Sequence, residues 1–108
     1  MKTKLISIKT EPNNSNFHAL VLIGDEQYRF TFAVENSTVA GRQIQGIRGD
    51  KNFLNTFRFN QNLGVAIYQL VSQFNEGKTL ELPVEIGDFY SEELEIATEA
   101  GLTISPKG

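Results

Sequence analysis

The stretch 17-FHALVLIGDEQYRFTFAV-34 decides the fold. In its second half Tyr28, Phe30, Phe32 and Val34 alternate with Arg29, Thr31 and Ala33, the period of a strand with one buried face. The first half is different: Phe17, Ala19, Val21 and Ile23 are apolar, and Leu20 and Leu22 stand between them. Both faces of that strand therefore want burial. Gly24-Asp25-Glu26 supplies a tight connection, so the two halves read as a β-hairpin.

Upstream, Leu5 to Lys9 reads as a short strand, ended by Glu11-Pro12 and the polar turn Asn13-Asn14-Ser15-Asn16. Downstream, Asn36-Ser37-Thr38 is expected to close the hairpin's second strand. A weaker strand follows at Arg42 to Ile47, interrupted by Gly41 and Gly46, and Gly49-Asp50 reads as a turn. Phe53, Asn55, Phe57 and Phe59 alternate, which allows one more strand. From Asn62 the period changes. Leu63, Ala66, Ile67, Leu70, Val71 and Phe74 form one helical stripe, with Asn60 or Asn62 as the cap and Gly77 just past the end. Leu80, Leu82, Val84 and Ile86 then alternate with Glu81, Pro83 and Glu85, and a proline there suits only a sheet edge. For 89–104 two readings stand open, a helix beginning at Ser91-Glu92-Glu93 and a strand through Leu94-Glu95-Ile96.

These elements make an α+β chain, read as a single domain over 1–108: a mostly antiparallel sheet of about five strands, with one long amphipathic helix at about 61–76 packed on one face. The opposite face would carry Leu20, Leu22 and Ala33, an apolar patch in need of a cover. Either the C-terminal segment or another molecule supplies it.

Composition narrows the chemistry. The 108 residues contain no cysteine and one histidine, His18, so thiolate nucleophiles, disulfides and cysteine-based or multi-histidine metal sites are excluded. The apolar run at the start is only Leu5-Ile6, too short for a signal peptide, and no window approaches the length of a membrane span. A cytoplasmic protein is expected on that ground, and Asn13-Asn14-Ser15 and Asn36-Ser37-Thr38 are read as turns rather than glycosylation sites. Residues 1–75 hold eight Lys/Arg against five Asp/Glu and residues 76–108 two against eight, so a mildly basic body precedes an acidic end.

The stretch 41-GRQIQGIRGDKNF-53 invites two motif readings. Gly41 and Gly46 have P-loop spacing, but Ile47-Arg48 stand where Lys-Ser/Thr must reach phosphate and magnesium. Arg48-Gly49-Asp50 is an adhesion tripeptide only in an extracellular protein. A loop with a basic rim explains both. Arg42, Arg48, Lys51 and Arg58, interleaved with Phe53, Phe57 and Phe59, define an alternative in which a small ligand or a nucleic acid binds this basic loop. Against it stand the acidic pI near 5.1 and the core-like spacing of the phenylalanines.

His18 with a carboxylate is a weaker, enzymatic alternative, since its strand offers no neighbouring serine or cysteine. Glu81, Glu85, Asp88, Glu92, Glu93, Glu95 and Glu99 lack the pattern of a calcium loop and read as solvated faces or, at 92 and 93, as a helix start. The leading expectation is a non-enzymatic protein-interaction module, an adaptor, subunit or self-associating domain. Its contact surface would comprise Leu20, Leu22, Glu92 and Glu93, with no metal, cofactor or membrane involved.

Overall fold

A computed structural model describes residues 1–13 and 15–91, so Glu92, Glu93 and all but the first residues of 89–104 lie outside the described chain. Along the sequence come β1 (Lys2–Thr10), β2 (Phe17–Ile23), β3 (Glu26–Val39), β4 (Arg42–Gly49), α1 (Lys51–Thr56), α2 (Gln61–Asn75) and β5 (Val84–Asp88). The strands form one five-stranded sheet in the order β4-β3-β2-β1-β5, every neighbouring pair antiparallel. The chain is thus α+β, with β5 at an edge. Pro83, which lacks an N–H, lies just before that edge strand.

Strict alternation sorts β2: Phe17, Ala19, Val21 and Ile23 are buried, whereas His18, Leu20 and Leu22 are half-buried. In β1 a bulge between Leu5 and Ser7 inserts one residue, Ile6, against β2. Leu5 and Ile8 consequently both reach the core, although their spacing breaks a period of two.

Two helices are present where the sequence reading expects one, because the alternation at Phe53, Asn55, Phe57 and Phe59 is not a strand. Asp50 ends the possibility of continued extension: its Oδ1 accepts from the Phe53 N–H at 2.8 Å, capping α1. Its Oδ2 accepts from the Thr31 N–H at 2.8 Å, which ties the cap to β3. Phe53 and Phe57 are four apart, a spacing that lands on one face of a helix as well as of a strand. Both are buried, while Asn55 and Phe59 are exposed. Gly49 permits the close approach, since a Cβ there would lie 2.6 Å from Phe53 Cδ2.

In α2, Leu63, Ile67 and Val71 join the same core as the odd residues of β2, and the rings of Phe74 and Tyr68 meet Phe17 and Phe32 edge-on. Gly77, at φ +86°, ends α2 as expected: its N–H donates to Phe74 O and that of Lys78 to Gln73 O, both at 3.0 Å. Asn60 occupies the cap position but makes no side-chain cap bond. Instead its amide pairs with the backbone of Tyr90, accepting from the N–H at 2.6 Å and donating to the carbonyl at 2.9 Å.

Asn36-Ser37-Thr38 does not close β3, which continues to Val39. Past the other strands β3 and β4 continue as a two-stranded arm whose residues 35–46 are all exposed, its base tied to α2 where the Asn75 amide donates to Gln45 Oε1 at 2.7 Å. Ala40 and Gly41, with φ of 51° and 78°, make the two-residue turn at its tip.

Candidate functional site

The pairing registers assemble the face of the sheet that bears the even residues of β2. Lys9, His18 and Thr31 line up across β1, β2 and β3, followed by Ser7, Leu20 and Arg29, and then by Lys4, Leu22 and Gln27. Side chains directly opposite in an antiparallel pair are about 5 Å apart, so each row is a contiguous strip. Over the first two rows runs a groove of about 560 Å³, bordered on its outer side by Glu11, Pro12 and Asn13.

His18 lines it. Its Nδ1 is 3.2 Å from Thr31 Oγ1, and its Nε2 contacts the Glu11 carboxylate. With Glu11 accepting from Nε2–H, a neutral ring presents Nδ1 as the acceptor and the Thr31 hydroxyl as the donor. The result is a row of hydroxyl, imidazole and carboxylate. Hydrolytic use of such a row also needs N–H donors aimed at a developing oxyanion. The N–H of Thr31 itself is already engaged by Asp50. As built, the row fixes the His18 ring and closes one end of the groove.

The four basic residues of the loop reading are not gathered into one rim. Arg48 and Lys51 border a shared hollow with Thr31, Ala33 and Leu54, and the Arg48 guanidinium is 3.1 Å from Glu35. Arg42 lies at the far end of the arm, six residues from Arg48 along β4, or about 20 Å at a strand's rise per residue. Arg58 is beyond α1, its guanidinium 4.7 Å from the Phe59 ring centroid, beside Asp88 and Tyr90. Nor is there a phosphate cradle, because Gly41 is in the hairpin tip and Gly46 in an extended strand. The tripeptide Arg48-Gly49-Asp50 is taken up by an ion pair, a close approach and a helix cap.

Leu20 and Leu22 do share the open face, and Glu85, one of the acidic residues, is 3.6 Å from Lys2. Among the described residues no three histidine, aspartate or glutamate side chains are grouped to hold a metal ion, and no helix is long and apolar enough to cross a membrane. Sequence reasoning passed over Lys9, Glu11 and Arg29 as members of the His18 groove and Thr31 as a partner of the His18 ring. They are scattered over more than twenty residues, and only the strand register brings them together. Comparison with protein-family models, curated proteins and solved structures gives no match.

Proposed function

We propose that this chain is a non-enzymatic interaction module that docks a protein partner on the open sheet face, the helices serving as the permanent cover of the other. The observation that carries this reading is the division of β2: its odd residues are sealed in the core, while Leu20 and Leu22 lie half-buried on the opposite face, where Leu20 lines an open groove. Lys9 and Arg29 flank Leu20, so the surface suits a partner with apolar side chains inside an acidic fringe. The enzymatic alternative has gained a carboxylate, Glu11, while the Thr31 N–H beside the row is already engaged by Asp50. For the basic-loop alternative, Arg48 and Lys51 share one hollow while Arg42 and Arg58 lie apart from it, which favours the open face as the first surface to test.

A photo-crosslinking residue at position 20 tests the docking face, with position 65, exposed on α2, as the reference. A defined partner should couple at 20 and not at 65, and Leu20→Asp should weaken its binding to the purified chain about tenfold or more. Equal labelling at both positions, or binding indifferent to Leu20→Asp in a variant with an unchanged circular dichroism spectrum, overturns the proposal.

A further inference from the structure

We propose that two copies of this chain pair antiparallel through the outer edges of β4, Ile44 facing its own counterpart across a two-fold axis. This surface is distinct from the open-face groove, and the inference stands independently of the docking role.

Hairpin geometry identifies the free backbone groups. Val39 and Arg42 flank a two-residue turn with both central φ angles positive, and such a closing pair exchanges both of its hydrogen bonds. Alternation then directs the backbone groups of Arg42, Ile44, Gly46 and Arg48 toward β3. Those of Gln43, Gln45, Ile47 and Gly49 point outward. Two bonds at the base of the arm agree: the Asp50 N–H donates inward to Thr31 O at 2.9 Å, and the Gly49 N–H donates outward to the Tyr68 hydroxyl at 2.9 Å. Gly49 is thus satisfied. Gln43, Gln45 and Ile47 present N–H and C=O groups to an edge that has no strand beside it among the described residues.

Edges of this kind are ordinarily guarded by charge, proline or an irregularity. The run Gln43-Ile44-Gln45-Gly46-Ile47 has neither charge nor proline, and both exposed large apolar residues of the arm, Val39 and Ile44, sit on it or beside it. A second copy is the occupant that fits, because the edge is complementary to itself. Antiparallel pairing must match outward-pointing residues with outward-pointing ones, which leaves few registers. Centred on Ile44, the pairing sets Gln43 against Gln45 and Arg42 against Gly46, and the 43/45 pairs supply the backbone bonds. Centring on Gln45 would instead oppose Arg42 to Arg48, and centring on Gly46 would oppose Ile44 to Arg48. The Ile44 register is the one that sets the two exposed Ile44 side chains against each other and opposes no like charges. The two-fold axis then runs perpendicular to the sheet, which becomes continuous through both copies, with the two open faces on the same side.

Because the chain has no cysteine, one substitution at a time reports the register. In a non-hydrogen-bonded antiparallel pair Cα atoms are about 4.5 Å apart, within disulfide range. Ile44→Cys should therefore oxidise to a covalent dimer about tenfold faster or more than Val65→Cys on α2. In sedimentation, the unmodified chain should show a concentration-dependent dimer. Gln45→Pro removes an outward N–H and leaves the β3 ladder intact, so relative to Gln45→Ala, which loses the same side-chain bond to Asn75, it should raise the dissociation constant about tenfold or more while preserving the circular dichroism spectrum. Leu20→Asp should dimerise as the unmodified chain does, which separates this inference from the docking reading. A chain that stays monomeric at millimolar concentration overturns the proposal. So does a dimer in which Ile44→Cys oxidises no faster than Val65→Cys, or one that is indifferent to Gln45→Pro.

Discussion

From Tyr28 to Phe32, β3 pairs with β2 and its even residues are buried or half-buried, with Phe30 and Phe32 in the core; from Ala33 to Val39 it pairs with β4 alone, and from Glu35 onward it is exposed throughout. The chain stays a strand through both halves, and both antiparallel registers run unbroken, Glu26 to Phe32 against β2 and Phe32 to Val39 against β4. What changes is the neighbouring strand and, with it, the supply of apolar surface to pack against. Strand geometry is therefore maintained in the arm by the ladder and its turn, and in the body by burial as well. An isolated two-stranded ribbon is marginal in water, so the arm's order depends on the body that anchors it.

The largest test of that contrast pairs one substitution in each half. Phe32 is fully buried, with its ring centroid 4.8 Å from that of Phe53 and 5.6 Å from that of Tyr68. Phe32→Ala should cost about 3–5 kcal/mol in urea unfolding, a large share of a small domain's stability. Val39→Ala, at a position 54% exposed, should stay within about 0.5 kcal/mol when measured at concentrations low enough to keep the chain monomeric. Similar losses at the two positions would break the comparison and mean that the arm is packed in solution.

The junction between the two regions gives the next effect. Asp50 holds the Phe53 N–H and the Thr31 N–H at once, the second just where β3 leaves the body. Asp50→Ala should cost about 2–3 kcal/mol, a lost cap together with a strand N–H left without its partner. Asp50→Asn, which keeps one acceptor oxygen, should recover part of the loss. Stability unchanged in Asp50→Ala would show that α1 is held by Phe53 and Phe57 alone.

The elements read most directly from sequence are those in which one period has one interpretation. The stripe from Leu63 to Phe74 fits only a helix, and the strand with Tyr28, Phe30 and Phe32 fits only an extended chain. Phe53 and Phe57, spaced by four, satisfy both periods, and the Asp50 cap that decides between them is itself held by Thr31, nineteen residues away. Extension of β3 through Asn36-Ser37-Thr38 was hidden for a related reason: polar turn formers are tolerated in a strand whose faces both meet water. Of the candidate surface, Leu20 and Leu22 were legible as excess apolar residues in β2. The groove beside them was not, because Glu11, His18 and Thr31 meet only through cross-strand register and the turn that follows β1.

The smallest effect concerns a polar atom on the buried side. Thr3 is fully buried opposite Ile23 and Gly87, and its hydroxyl has no hydrogen-bond partner among the described residues. A buried hydroxyl loses its water without compensation, whereas valine has nearly the same shape and nothing to desolvate. Thr3→Val should therefore be neutral or stabilising by up to about 1 kcal/mol, which corresponds to a rise in Tm of about 4–8 °C at this chain length. The reciprocal change on the exposed arm, Val39→Thr, should leave Tm unchanged, because a hydroxyl there keeps its water. A loss of more than about 1 kcal/mol in Thr3→Val would mean that the hydroxyl has a partner in solution, and the boundary between sealed and solvated sheet would then lie inside β1.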